Sequence, residues 1–339
     1  MRKGIASLLC ALSLLLSLAG CSPNMEPCST TIFAMDTVMN LTVYADEKTP
    51  LTRAVDRLYE IENRFSVTKE DSDVHNINAN CGQKTEVSEA TAALLKDTLA
   101  LCEKTGGALD ITAYPAVKAW GFTTGEYRVV EAQERTELTG RIDHAGVELE
   151  GNTALLPAGM ELDLGSVAKG YAGDVLVTEL KQAGVTASLL DLGQSTIAAI
   201  GTKPDGKPWR IGIQDPAGDT YLGVLELNDQ AMGSSGNYQR WFEENGVRYG
   251  HIIDPATAAP ADSGLAGVTV VSESAFYCDG LSTALFVMGM EDAADFWRDN
   301  RDFEAIFIEE NGNITVTAGL KDSFSLADGY KDREVTVLE

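Results

Sequence analysis

The chain has 339 residues, 26 of them Lys or Arg and 51 Asp or Glu, for a formal net charge of −25. An apolar fraction of 44% excludes a mainly disordered chain, and so acidic a surface excludes general binding to nucleic-acid backbones. An anionic ligand would need a metal ion, a lysine or backbone N–H groups to hold it.

Arg2 and Lys3 precede an apolar run from Ile5 to Ala19, the pattern of a secretory leader rather than of a packed helix. The run ends in Leu18-Ala19-Gly20-Cys21, which resembles the lipobox of bacterial lipoproteins, where cleavage precedes a lipidated cysteine. Removing the first 20 of 339 residues leaves 319, and losing Arg2 and Lys3 moves the charge balance from −25 to −27. Polar Ser22 to Thr30 reads as a short tether, and no later apolar run has the length of a bilayer span. The expectation is a domain lipid-anchored through Cys21 to the bacterial cytoplasmic membrane and facing outside the cytoplasm. Cys28, Cys81, Cys102 and Cys278 show neither C-x-x-C nor Cys/His zinc spacing. A disulfide is open in that compartment, but at this domain size buried free thiols are the preferred reading.

Thr31 to Ala45 alternates loosely and predicts a strand. Leu51, Ala54, Val55, Leu58 and Glu62 recur near every 3.6 residues and predict a helix opened by Thr49-Pro50. A second helix is expected from Ser88 through Leu94, Leu95, Thr98, Leu99 and Cys102, stopped by Gly106-Gly107. Polar Gly125 to Gly140 reads as a loop or a short surface helix. Strands are expected at Val147–Leu149 and Met160–Leu164, then a helix over Val167–Gln182 closed by Gly184. Ala187 to Ile200 reads as strand, turn, strand. Further strands follow at Trp209–Ile213, Tyr221–Leu227, Ala231–Gly233, Val247–Ile252 and Val268–Val271. Helices are expected over Ser274–Met288 and Glu291–Trp297, then a hairpin of Ala305–Ile308 and Ile314–Thr317 around Asn311-Gly312. Many strands between turns, with helices in isolated long runs, indicate an α+β fold with antiparallel sheet. No linker of biased composition divides the chain. One integrated body of two closely joined lobes is therefore expected over residues 31–330, with 331–339 as a tail.

Three constellations carry chemistry. In Asp163-Leu-Gly-Ser-Val-Ala-Lys-Gly-Tyr171 a strand end meets a helix start, where backbone N–H groups and Lys169 can hold phosphate; a tight turn and a solvated lysine are the bland alternative. It is neither a Walker-type phosphate loop nor a dinucleotide fingerprint. Asp279 and Thr283 are four apart on one predicted helix face and offer hard oxygen ligands for a cation such as magnesium; a carboxylate bonded to local backbone is the alternative. His251, in Tyr249-Gly-His-Ile-Ile-Asp-Pro-Ala-Thr257, is suited to proton transfer or to shaping the loop. The other two histidines, His75 and His144, lie in polar segments and read as surface residues. Trp120, Trp209 and Trp241 read as core or cleft-wall aromatics. Ser235 has no G-x-S-x-G setting, which disfavours a serine hydrolase.

Taken in order, these segments resemble the FAD:protein FMN transferases of the ApbE family, from about Ala34 to Gly319. Met35-Asp-Thr37, Phe65-Ser66 through Asp71-Ser72, Asn76-Ile-Asn78, Gly107-Ala-Leu-Asp-Ile-Thr112, Pro115 and Trp120-Gly-Phe122 carry the first half of the likeness. Asp163 to Tyr171, Ser234-Ser-Gly236, His251 to Pro255 and Asp279 to Thr283 carry the second. The resemblance implies an ApbE-like fold and a magnesium-assisted reaction. FAD is split at its pyrophosphate, FMN is joined by a phosphoester to a threonine or serine of an acceptor flavoprotein, and AMP leaves. The acceptor would belong to an extracytoplasmic or membrane redox system. The family pattern implies Ser166, Asp279 and Thr283 as metal ligands, with Ser282 bordering them. It implies Met35, Ala108, Leu109, Asp110, Asp163, Lys169 and Ile252 as FAD contacts, and His251 and Asp279 as candidates for the chemistry.

The chain departs from that pattern at Asp36 (usually glycine), Thr68 (often aromatic), Gln194-Ser195 (more often Gly-Asp or Gly-Asn) and Ser234 (usually threonine). Loss of the aromatic removes a stacking partner for flavin. The alternatives are a magnesium-dependent FAD pyrophosphatase yielding FMN and AMP, a non-catalytic flavin-binding lipoprotein, and a solute-binding lipoprotein unrelated to flavin.

Overall fold

Alternate side chains of β16 (Glu304–Glu309) enter different cores: Ala305 and Phe307 join one buried cluster, Ile306 and Ile308 another. In β7 (Thr196–Ile200) Ala198 and Ile200 divide from Ile197 and Ala199 in the same way. Strands covered on both faces must be apolar throughout, which is why these segments lack a polar alternation. The computed structural model describes residues 26–339; the leader, Cys21 and residues 22–25 of the expected tether lie outside them. These strands belong to a nine-stranded sheet of order β1 (Pro27–Ala34), β2 (Thr37–Tyr44), β6 (Ser188–Asp191), β7, β10 (Ala231–Gly236), β15 (Leu265–Ser272), β16, β17 (Ile314–Thr317) and β19 (Val335–Leu338). Its pairs are antiparallel except β17 with β19.

One face of this sheet shares its core with α1 (Thr49–Phe65), α3 (Glu89–Lys104), α6 (Ala168–Gln182) and α7 (Ala275–Asp299). The other shares its core with a sheet of β8 (Trp209–Gln214), β9 (Tyr221–Leu227) and β18 (Phe324–Leu326). A third sheet joins β3 (Lys84–Glu86), β5 (Thr153–Leu155) and β4 (Glu148–Glu150). Two short pairs join β11 (Trp241–Glu244) with β12 (Val247–Gly250) and β13 (Ile253–Asp254) with β14 (Ala259–Pro260), and three short helices, α2 (Asp73–Ala79), α4 (Tyr114–Ala119) and α5 (Ala132–Thr139), complete the fold. A separate cluster of Ala116, Trp120, Phe122, Leu138, Phe242 and Ile253 packs α4 and α5 with β11 and β13. The architecture is α+β, as the pattern of strands and helices predicts. Among the described residues no helix is long and apolar enough to cross a membrane.

Several elements differ from expectation. Thr31 to Ala45 is not one strand but part of the β1–β2 hairpin, turned at Met35 (φ 50°) and Asp36 (φ 60°). Two left-handed residues suit a tight hairpin, but no glycine announces the turn. Residues 27–30, read as tether, pair with β2, and Val335–Leu338, read as tail, pair with β17. Met160–Leu164 forms no strand and joins no sheet. Asn78 both donates to the Leu162 carbonyl and accepts its amide at 2.8 Å, and the Ile111 carbonyl takes the Asp163 amide at 2.9 Å. The Val247 strand stops at Gly250, so His251 and Ile252 lie beyond it. Gly125 to Gly140 contains a short helix, α5, and α2 and α4 were not anticipated. The two expected C-terminal helices are the halves of α7, broken at Gly289 (φ 79°, ψ 173°). The four cysteines of the described residues are free; Cys102 and Cys278 are buried as expected, whereas Cys28 and Cys81 are half-buried.

Candidate active site

The site depends on where α7 begins. Ser274 caps it by accepting the Tyr277 amide at 3.2 Å. The Asp174 carboxylate, from α6, accepts from the Ser274 hydroxyl and the Ala275 amide at 2.6 Å each, and from the Phe276 amide at 3.1 Å. Burial pushes this carboxyl up, and the three donors pull it back. The two helices touch because α6 offers glycines: a Cβ at Gly170 would stand 2.3 Å from the Ala275 carbonyl oxygen. β10 passes equally close, since a Cβ at Gly233 would stand 2.5 Å from the carbonyl of Cys278.

Asp279 is thereby held one turn into α7 with its side chain 7% exposed. Oδ2 accepts the Gly170 amide at 2.9 Å, Oδ1 accepts the Thr196 hydroxyl at 2.9 Å, and Lys169 Nζ lies 3.9 Å from Oδ1. Burial pushes the carboxyl up, opposed first by the Lys169 charge and then by the Gly170 and Thr196 bonds. Asp163 stands in the same balance: burial raises it, and the Gly165 amide, bonded to Oδ1 at 2.8 Å, lowers it together with the charges of Lys169 and Arg240. Lys169 therefore acts on both carboxylates, and its ammonium is the positive charge nearest Asp279.

Beside Asp279 is a group of hydroxyls. Ser235 Oγ is 2.8 Å from Ser282 Oγ and 3.2 Å from Thr283 Oγ1, and Thr283 Oγ1 is 3.5 Å from the Asp279 carbonyl. Ser166, in the turn leading into α6, makes no side-chain hydrogen bond to either expected co-ligand. Among the described residues no group of three or more His, Cys, Asp or Glu is arranged to hold a metal. One carboxylate with hydroxyl and carbonyl oxygens is a hard donor set of low charge. It fits magnesium bound together with anionic phosphate, and it does not fit zinc.

His251 follows β12 at a bend. Its amide donates to the Arg240 carbonyl at 3.1 Å, and its Nδ1 lies 3.2 Å from the same oxygen. A carbonyl only accepts, so Nδ1 carries the proton and Nε2 presents a lone pair. Burial pushes the ring down to about 4, with the charges of Arg240 and Lys169 adding to the shift and the Arg240 carbonyl opposing it. The imidazole is neutral at pH 7. Phe122 packs edge-on to it at 6.3 Å, and Trp120 donates its Nε1–H to the Ala258 carbonyl at 2.8 Å, fixing the loop that follows.

The structure thus gathers Asp163, Lys169, Asp279 and Thr283, with His251 within reach of the Lys169 charge. Met35 is the first residue of the β1–β2 turn, packed against the main core with Ala108, while Leu109 and Ile252 are buried core side chains. The Asp110 carboxylate is engaged in its own loop: it accepts from Thr112 N and Oγ1, at 2.8 and 2.6 Å, and lies 2.8 Å from His144 Nδ1. His144 is therefore not a surface residue; its side chain is 18% exposed. His75 is half-buried as well. Trp120 and Trp209 are buried as expected, but Trp241 is 39% exposed, with Arg248 over its ring. Sequence reasoning missed Asp174, Thr196 and Arg240. Nothing in their local patterns marks them, because each acts on a segment far away in the chain.

Residues 35–307 match the model of a family described as the ApbE family. An FAD:protein FMN transferase of Vibrio cholerae is 36% identical over 297 residues, covering 84% of this chain and 88% of that protein. One of Haemophilus influenzae is 32% identical over 342 residues, covering 94% of this chain and 97% of that protein. The crystal structure of the ApbE protein of Thermotoga maritima superposes with a TM-score of 0.80 at 30% identity, covering 91% of this chain and 100% of that one.

Proposed function

The chain belongs to the ApbE family, and from that membership we propose that it is an FAD:protein FMN transferase. In the proposed reaction a threonine or serine hydroxyl of an acceptor flavoprotein attacks the FMN phosphorus of FAD. The new P–O bond joins FMN to the protein, the pyrophosphate P–O bond breaks, and AMP leaves. The hydroxyl proton passes to a base. The observation that carries this reading is the meeting of Asp279, Lys169 and the Ser235–Ser282–Thr283 hydroxyls, with a neutral imidazole at His251.

His251 is the base we assign. With Nδ1–H directed at the Arg240 carbonyl, Nε2 is free to take the hydroxyl proton. A ring held near 4 is a weak base in the free protein, but the negative charge of a bound pyrophosphate raises an imidazole and strengthens it. Lys169 offsets phosphate charge. Asp279 and Thr283, with Ser166 brought in from the turn before α6, are the oxygen donors for magnesium. When bound there, magnesium would neutralise charge on the pyrophosphate and ease the departure of AMP. Met35, Ala108, Leu109, Asp110, Asp163 and Ile252 are proposed to line the FAD site.

The test is incubation with FAD, magnesium and a candidate acceptor, followed by intact-mass measurement. Covalent FMN on the acceptor with AMP release supports transfer. Free FMN beside an unmodified acceptor shows hydrolysis instead, and FAD binding without either product refutes catalysis. We also infer a lipid on Cys21 that tethers the enzyme outside the cytoplasm beside membrane or secreted acceptors. Its support is the Leu18-Ala-Gly-Cys21 sequence, and an intact mass of the membrane-extracted protein that shows Cys21 without a lipid refutes it.

A further inference from the structure

The turn between β10 and β11 gathers three distant segments of the chain onto one residue, Arg240. Arg240 Nη2 donates to the Phe122 carbonyl at 2.9 Å, and Nη1 lies 3.8 Å from Asp36 Oδ2. The backbone carbonyl of the same residue takes the His251 amide at 3.1 Å and lies 3.2 Å from His251 Nδ1. Asp36 is the second of two left-handed residues, at φ 60° after Met35 at φ 50°. Glycine adopts that conformation freely and aspartate does so at a cost. The aspartate carboxylate gives Arg240 a partner that glycine lacks.

We propose that Arg240 is a positioning residue for His251: its guanidinium, braced on the Phe122 carbonyl and Asp36, fixes its own carbonyl against Nδ1 and so holds the tautomer with Nε2 free. Of the two braces the Phe122 bond dominates. The Asp36 side chain is 80% exposed, and an ion pair so open to water and salt contributes little. Asp36 therefore trims the position that the Phe122 carbonyl sets. The use made of Nε2 rests on the transferase reading; the tautomer itself does not.

The experiment combines nitrogen-15 NMR of the imidazoles of the free protein at pH 7 with steady-state FMN transfer. The chain has three histidines, so a His251→Gln variant assigns the signal. The wild type is expected to show His251 protonated at Nδ1 alone. Arg240→Ala should give a mixture of tautomers and a kcat lower by roughly tenfold, part of the 10²–10⁴ that a positioned base supplies, with KM for FAD within about twofold. Arg240→Gln keeps an amide donor for the Phe122 carbonyl and should fall between the two, which covers the case in which Arg240→Ala fails to fold. Asp36→Gly should leave the tautomer unchanged and lower kcat by less than about threefold. A single Nδ1–H tautomer with unchanged kcat in Arg240→Ala and Arg240→Gln overturns the proposal. A raised KM with kcat unchanged also overturns it, by making Arg240 a phosphate contact. A tautomer shift in a protein whose wild type transfers no FMN upholds the positioning role and refutes the transferase reading.

Discussion

The Gly170 amide donates to Asp279 Oδ2 at 2.9 Å across the α6–α7 contact, joining the helix that carries Lys169 to the carboxylate of the proposed metal site. The bond exists because position 170 has no side chain: a Cβ there would stand 2.3 Å from the Ala275 carbonyl oxygen. Gly170→Ala should force the helices apart and destabilise the fold by about 1–3 kcal/mol. Urea unfolding measures this, and an unchanged midpoint at unchanged slope would contradict so close an approach.

Asp279→Ala should lower FMN transfer by on the order of 100-fold, the scale of losing one main electrostatic group at a reacting phosphate. Stability should fall as well, because the Gly170 amide and the Thr196 hydroxyl lose their buried acceptor and Lys169 loses its nearby carboxylate. Initial rates across a magnesium titration, alongside a thermal melt, check both halves. Full transfer at limiting magnesium removes Asp279 from the metal site.

The acid limb of the pH profile should report His251. With the ring near 4 in the free protein, kcat/KM should hold from pH 7 downward and fall as pH drops through about 4, where the imidazole gains its proton. The limb of kcat should lie at higher pH, because bound pyrophosphate favours the charged ring. Coincident limbs in AMP-release assays would separate the imidazole from the substrate phosphates. His251→Gln should abolish the limb and lower kcat by roughly 10²–10⁴.

Asp174→Ala should cost about 2–3 kcal/mol, since it strips three donors at the start of α7 of a charged acceptor. Transfer should fall with it, because Asp279 is set one turn further on. Chemical denaturation of Asp174→Ala beside Asp174→Asn measures the charge-dependent share.

Burial pushes the thiols of Cys102 and Cys278 up to about 12, so neither forms thiolate at neutral pH. A disulfide reagent should label Cys28 and Cys81 in the native protein and reach the buried pair only in denaturant. Rapid labelling of Cys278 would mean that α7 opens away from β10.

The sequence carries the parts of the site that are local. Asp279 and Thr283 are four apart on one helix, and the Asp163–Lys169 segment announces its turn with Gly165. What it hides are the partners. Asp279 meets Gly170 across 109 positions and Thr196 across 83, and Asp174 meets Ser274 across 100. These meetings follow from β7 lying beside β10 and β10 beside β15, an order that periodicity within a segment does not encode. The Met35-Asp36 turn is hidden for another reason: its left-handed backbone is held without glycine. His144 reads as solvated because its neighbours are polar, yet Asp110 draws it inward.

The pairing of β19 with β17 has a consequence for the colloidal behaviour of the protein. All four residues of β17, Ile314 to Thr317, are buried, and β19 occupies their outer row of N–H and C=O groups from Val335 to Leu338. Without that last strand, a flat apolar edge with open hydrogen-bonding groups would face solvent, a template for another chain. Truncation before Val335 should therefore raise self-association, read by light scattering, while leaving the residues of the proposed site in place.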